Sequence, residues 1–303
     1  MTASRYIGRF APSPSGPLHF GSLVAAAASF YDARAAGGQW LLRIDDLDQP
    51  RCVPGAAEAI LATLVRLGLE WDAEPQWQSR RHAAYAAAFE RLREAGHLFP
   101  CACSRSELAD SALARDGSRI YPGTCRAGLL PGRSPRTWRV RSAGTIHFED
   151  RIQGALHENL ERDVGDFVVQ RADNVFAYQL AAVVDDAAAG VTHVVRGADL
   201  LGSTSRQIHL QHLLGHAVPR HAHVPIAADR HGDKLSKQTH ARAIDALKPE
   251  QALMLALEFL GQEPPSRLEY ANVRTIHAWA IEHWSIARIP RRISQPAPAF
   301  FHD

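Results

Sequence analysis

The sequence predicts an α/β fold: a Rossmann-like parallel sheet, interrupted by an inserted region and followed by a short helical C-terminal region. Three observations carry that expectation. Residues 6–67 read as strand, helix, strand, helix; a second strand–helix–strand run occupies 191–227; and the stretch between them is made of short alternating segments that break the βα rhythm. Repeated βα units imply parallel pairing with right-handed crossovers, and ligands then bind beyond the carboxyl ends of the strands.

Each element has its own signal. Residues 6–10 alternate as a short strand, after which Pro12, Pro14 and Pro17 hold the chain extended. Gly21 and Ser22 open an alanine-rich run that predicts a helix to Ala36. Strand 40–44 and helices 55–67 and 80–95 follow. Segments 137–141, 145–149 and 167–171 alternate as strands, so residues 97–175 read as the insertion between catalytic halves 1–96 and 176–238. The sheet resumes with strand 191–195, helix 200–214 and strand 223–227. From 239 to 303 the pattern is helical, over 253–260 and 273–284, and ends in a tail containing Pro and Phe.

The junction Arg9-Phe10-Ala11-Pro12-Ser13-Pro14-Ser15-Gly16-Pro17-Leu18-His19-Phe20-Gly21-Ser22 carries the chemistry. A helix start offers backbone N–H groups and a positive dipole end, while Gly16 and Gly21 let a polyphosphate approach the main chain. His19 is expected at that mouth, donating to a phosphate oxygen. Lysine usage points the same way. Of 34 basic residues only Lys234, Lys237 and Lys248 are lysine, and the first two lie in His231-Gly232-Asp233-Lys234-Leu235-Ser236-Lys237-Gln238. An ammonium is a mobile point charge that can follow a phosphate through a reaction, whereas guanidinium is a rigid planar fork.

Together these segments resemble the paired ATP-binding motifs of class I aminoacyl-tRNA synthetases. His19-Phe20-Gly21-Ser22 is similar to the first motif, His-Ile-Gly-His, and Lys234-Leu235-Ser236-Lys237-Gln238 to the second, Lys-Met-Ser-Lys-Ser. The departures at Phe20, Ser22, Leu235 and Gln238 spare His19, Gly21 and both lysines. Arg9-Phe10-Ala11-Pro12-Ser13-Pro14 and the later Leu42-Arg43-Ile44-Asp45-Asp46 are similar to the glutamyl branch of that class. The resemblance implies ATP as a substrate, with Mg²⁺. It implies phosphate contacts from His19, Gly21, Ser22, Lys234, Ser236 and Lys237, and a glutamate pocket of Arg9, Phe10, Ala11, Pro12, Ser13, Asp45, Tyr178 and Arg196. Asp45 would meet the substrate ammonium, although the family more often has Glu there. Arg196 suits a carboxylate because its fork matches two oxygens.

Cysteine spacing is an independent signal. Cys101, Cys103 and Cys125 suit a tetrahedral zinc site that needs a fourth ligand, with a disulfide as the less favoured alternative. The resemblance suggests Tyr121 as the fourth ligand, with His97 or water left open, and makes the insertion an acceptor-type domain. Cys52 reads as a buried small hydrophobe. His209, His212 and His216 fall on one helical face and read as packing, not as a second metal site.

Composition bounds the rest. A chain of 303 residues with 46% hydrophobic content can bury a full core, in roughly two domains. No apolar run reaches membrane length and the N-terminus lacks a secretory core, so a cytoplasmic protein, expected as a monomer without membrane contact, is predicted. Net charge is only +2, but residues 101–141 hold eight arginines against Glu107, Asp110 and Asp116, a surface suited to phosphate backbone. Only 66 residues follow Lys237, which leads us to expect a small helical bundle and no anticodon-binding domain. Relatives shortened in this way activate glutamate without tRNA and pass it to the queuosine base of tRNA(Asp), which is therefore the acceptor the resemblance implies. Charging of a tRNA 3′ end, or a non-catalytic glutamate- or RNA-binding paralogue, are the alternatives.

Overall fold

The computed structural model describes residues 5–229 and 244–301. Its first half is built from β1 (Ile7–Phe10), α1 (Phe20–Ala35), β2 (Gln39–Ile44), α2 (Ala56–Arg66), β3 (Gln76–Trp77) and α3 (His82–Glu94). The inserted region holds β4 (Leu98–Cys101), β5 (Thr137–Val140), β6 (Thr145–Asp150), β7 (Gly154–Asn159) and β8 (Val168–Gln170). The second half adds α4 (Tyr178–Ala188), β9 (His193–Gly197), α5 (Leu201–Leu214), β10 (Arg220–Val224) and β11 (Ile226–Ala228), and α6 (Pro249–Phe259), α7 (Val273–His283) and β12 (Ser294–Pro296) complete the chain.

β1, β2 and β3 pair in parallel, as do β9 and β10, with Ala222 opposite Val195. Thr192 joins the two sets: its N–H donates to Ile7 O at 2.9 Å, and its Oγ1 accepts from Ile7 N at 2.9 Å. The expected parallel α/β core is therefore present, and α1 lies against it with Leu23, Ala26, Ala27 and Ala28 buried. These small side chains let the helix approach the sheet closely.

Several expectations change in detail. Strand 223–227 is two strands, because Pro225 cannot donate to a ladder and ends β10 at Val224. β11 then pairs with β12, so the tail contributes a strand as well as turns. Helix α4 has no counterpart among the sequence-predicted elements; its core-facing Asp185 and Asp186 obscure an otherwise apolar pattern. Nor has β7, whose Gly-Ala-Leu-His-Glu-Asn sequence is half exposed and reads as polar. β7 forms an antiparallel hairpin with β6, and β6 touches β10 at Asp150 opposite His221. This part of the insertion thus adjoins the main sheet, whereas β4, β5 and β8 form a separate antiparallel sheet.

Phe20, a departure from the motif consensus, is buried and stacks on Phe301 with ring centroids 4.5 Å apart, meeting Phe259 edge-on at 5.4 Å. It fastens the start of α1 to α6 and to the tail. Phe20→Ala is expected to destabilise the fold by about 3–5 kcal/mol, read as a lower midpoint in denaturant unfolding; an unchanged midpoint would remove this packing role.

Candidate active site

The end of β1, the extended segment after it and the start of α1 line a cavity of about 770 Å³ together with residues of α4 and β9. The segment is held by main-chain bonds: Asp45 N–H donates to Pro12 O and Val53 N–H to Pro14 O, each at 2.9 Å. Of the sequence-predicted pocket residues, Arg9, Phe10, Ala11, Pro12, Ser13, His19, Gly21, Ser22, Tyr178 and Arg196 all line this cavity. Lys234, Ser236 and Lys237 lie outside the described residues.

His19 is the N-cap of α1, with Nδ1 accepting from Ser22 N–H at 3.3 Å. The imidazole thus satisfies one of the helix's own donors, and it marks the positive end of the dipole. A Cβ at Gly21 would lie 3.2 Å from His19 Cε1, so the imidazole would have to give by a few tenths of an ångström. A Cβ added to Gly197 would meet Asp199 Oδ1 at 2.5 Å, so that carboxylate would have to turn away.

The two arginines differ in their support. Arg9 Nε donates to Asp186 at 3.2 Å, and Arg43 reaches the same carboxylate oxygen at 2.5 Å. Burial pushes Asp186 up, but the two guanidiniums outweigh it and hold its carboxyl below the ordinary range. Arg196 is 5% exposed, and its direct partners among the described residues are neutral: His223, Tyr178, Gln207, Thr204 and the Leu200 carbonyl. Burial pulls its pKa down. All five N–H groups are thus engaged, yet none of these acceptors carries a charge; a carboxylate that took over N–H groups now held by neutral acceptors, the 3.5 Å contact to Tyr178 being the longest, would offset the buried cation.

Asp45 is placed differently from the rest. Its carboxylate takes Arg43 at 2.6 and 3.3 Å and is not among the residues that line the cavity. Residues that sequence reasoning missed are those behind the wall: Asp186, Arg43, Thr204, Gln207, His223 and Asp150. The polar run Thr204–Gln207 inside α5 is fully buried, a departure from helical amphipathicity that could have drawn attention.

The cysteine cluster forms as expected. The sulfurs of Cys101, Cys103 and Cys125 lie within 4.8 Å of one another, and among the described residues no other His, Cys, Asp or Glu completes such a group, His97 included. Tyr121 Oη sits 3.4 Å from Cys101 Sγ and 3.7 Å from Cys103 Sγ, and accepts from Cys125 N–H at 2.7 Å. Three thiols and one hydroxyl converging from a tight loop fit a tetrahedral zinc. All four cysteines are free. Burial pushes the Cys101 thiol up, yet hydrogen bonds from Tyr121 and the Cys103 N–H bring it down to about 7. His209 is buried against the Arg141 carbonyl at 2.9 Å, in keeping with a packing role.

A groove of about 980 Å³ beside this cluster is lined by Arg105, Arg136, Arg139 and Arg171, and Arg51 lines both it and the first cavity. Among the described residues no helix is long and apolar enough to cross a membrane.

Known proteins resemble this chain closely. The family model of the class I tRNA synthetase (E and Q) catalytic domain matches residues 7–270. A glutamyl-Q tRNA(Asp) synthetase of Aromatoleum aromaticum is 64% identical over 299 residues, covering 99% of this chain and 95% of that protein. One of Dechloromonas aromatica is 56% identical over 292 residues, covering 95% and 97%. Among solved structures, a glutamate-tRNA synthetase of Elizabethkingia anophelis superposes with a TM-score of 0.79 at 24% identity, over 98% of this chain and 68% of that one, which bears on the fold alone. With its cavity at the head of a parallel sheet and a motif-bearing helix start, the chain belongs to the class I tRNA synthetases of the E and Q type, among the glutamyl-Q tRNA(Asp) synthetases, and is an ATP-using ligase.

Proposed function

We propose that this enzyme activates L-glutamate with ATP in the absence of tRNA and transfers the glutamyl group to the queuosine base of tRNA(Asp), acting as a cytoplasmic monomer. The observation that carries the amino-acid assignment is Arg196, a buried cation whose direct partners among the described residues are all neutral, in the same cavity as the His19 helix start and Arg9. The names of the relatives support the acceptor.

Arg9, Ser13, Tyr178 and Arg196 hold glutamate so that its α-carboxylate oxygen attacks the α-phosphorus of ATP in line. A new P–O bond forms, the bond to the bridging oxygen breaks, and pyrophosphate leaves. Catalysis here is chiefly positioning and charge stabilisation. The start of α1, with Gly21 and Ser22, and Lys234, Ser236 and Lys237 of the second motif stabilise the phosphates. Mg²⁺ accompanies the nucleotide. An acceptor hydroxyl then attacks the carbonyl of the mixed anhydride, and AMP leaves. Cys101, Cys103, Cys125 and Tyr121 would hold zinc, which ties the loop between β4 and β5. The arginine groove, joined to the cavity through Arg51, offers a path for the tRNA backbone.

An acceptor assay with labelled glutamate tests this directly. Label is expected on queuosine-containing tRNA(Asp) and absent from the same tRNA lacking the modified base. Label on the 3′-terminal ribose of either tRNA would replace this reading with ordinary charging.

A further inference from the structure

Behind the cavity wall, Arg196 is connected to a buried acid through one imidazole. His223 Nδ1 lies 2.6 Å from Asp150 Oδ2, and Arg196 Nε donates to His223 Nε2 at 3.0 Å. Asp150 and His223 are both buried, at 1% and 0% exposure. The bond directions leave one arrangement of protons. Arg196 has only donors, so Nε2 must be the accepting nitrogen and Nδ1 must carry the hydrogen that goes to Asp150. Thr204 agrees: its Oγ1 accepts from Arg196 Nη2 at 2.9 Å, which frees its hydrogen for His223 Nε2 at 3.2 Å.

We propose that Asp150 and His223 are a positioning pair for the glutamate-binding reaction, with Asp150 fixing the imidazole as its Nδ1–H tautomer so that Nε2 holds the Arg196 guanidinium at the angle its substrate carboxylate needs. The inference rests on the proposed contact between Arg196 and glutamate. It gives the arginine a fixed direction without neutralising it, which a direct carboxylate partner would do. Burial holds the imidazole down to about 4 against the pull of Asp150, with Arg196 and Asp199 also acting on it and His221 stacked alongside. The imidazole is therefore neutral at pH 7. Asp150 has a second task, since its Oδ1 accepts from the N–H groups of Ile152, Gln153 and His223 at 3.0, 2.9 and 3.2 Å and so closes the β6–β7 turn.

That second task makes Asp150→Asn informative. The turn N–H groups require an oxygen at the Oδ1 position, so the new amide NH₂ faces His223 Nδ1. This forces the other tautomer, which sets an Nε2–H against the Arg196 Nε–H. The two amide replacements of His223 separate its bonds. His223→Asn keeps a donor for Asp150 and loses the acceptor for Arg196, whereas His223→Gln places an amide oxygen at the Nε2 position and loses the bond to Asp150.

The test is glutamate-dependent ATP–pyrophosphate exchange by the full chain, with KM for glutamate, KM for ATP and kcat measured for each variant, beside its thermal midpoint. For Asp150→Asn and His223→Asn, KM for glutamate is expected to rise roughly tenfold, the loss of one charge-assisted hydrogen bond, with kcat and KM for ATP within about twofold. His223→Gln is expected to keep KM for glutamate within about threefold of the parent while melting lower, because Asp150 is left without its partner. Glutamate KM unchanged in His223→Asn, or raised as far in His223→Gln, overturns the pairing; should Asp150→Asn fail to fold, that contrast decides alone. Arg196→Lys identifies the other failure. If it leaves glutamate KM unchanged, the assignment of Arg196 falls and the pairing falls with it.

Discussion

Arg196→Ala is expected to raise KM for glutamate by about 10²- to 10³-fold in pyrophosphate exchange, with KM for ATP little changed. Breaking a buried charge pair costs about 3–5 kcal/mol, or about 10²- to 4×10³-fold, and the expectation takes the lower part of that range because the neutral acceptors around the site stay in place. The physical basis is the asymmetry between the two arginines. Arg9 already shares Asp186 with Arg43, so its charge is largely offset before substrate arrives. Among the described residues Arg196 meets only neutral groups directly, so a bound carboxylate would recover its cost of burial. The guanidinium is also held by acceptors on Nε, Nη1 and Nη2, so little side-chain freedom remains to be lost on binding. A variant with unaltered glutamate KM and a normal thermal midpoint would show that the substrate carboxylate binds elsewhere.

The second large effect concerns the cysteine cluster. Wild-type protein purified without chelator is expected to carry about one zinc per chain, and Cys101→Ser to carry none, with Cys52→Ser unaffected. Between Cys101 and Thr137 the chain forms only one short 3₁₀ turn, at Ser106–Leu108, and no α-helix or strand longer than an isolated bridge. Its local core is limited to Phe99, Cys101, Ala102, Tyr121 and Cys125 with a few half-buried neighbours. So small a core does not outweigh the ordering entropy of the loop, whereas zinc held by the three cysteines would. In Cys101→Ser, residues 102–136 are expected to become protease-sensitive and to exchange amide hydrogens freely, while activation of glutamate in the other cavity persists. Retained protection without metal would show that the loop is stable by itself. Arg139, stacked 4.1 Å over the Tyr121 ring and bonded to the Asp166 carbonyl, is the part of this region that packing does hold.

How much of this was legible before folding depends on distance along the chain. The junction from Arg9 to Ser22 is local, and its prolines, glycines and histidine state their purpose by residue type. Those residues reach one cavity because a strand end and the next helix start are always neighbours in a parallel α/β unit. The cysteine cluster was legible for a similar reason, since its members are marked by residue type and short spacing. Tyr178 and Arg196 needed the family resemblance, and the structure brings them into the same cavity. Asp45 follows β2 as expected, and its carboxylate is paired with Arg43, two residues away, a contact no residue type announces.

The elements that went unseen have a common cause. Helix α4 carries Asp185 and Asp186 on a core-facing surface, and only partners far away in sequence make that tolerable. Asp185 takes Gln78, Arg81 and Tyr85, which precede it by 107, 104 and 100 positions. β7 has little apolar content because β6 supplies its pairing and solvent covers much of the rest.

By itself, then, the sequence determined the βα framework, the junction that lines the cavity, the cysteine cluster and the class of chemistry, because each is encoded in residues close together or in residue types with few other uses. Tertiary structure alone decided which charges are offset and which are not. Asp186 comes to Arg9 from 177 positions away and neutralises it, while His223, from 27 positions beyond Arg196, supports that arginine without cancelling its charge. No local pattern contains that difference, since the strength of a buried charge depends on what the fold packs around it.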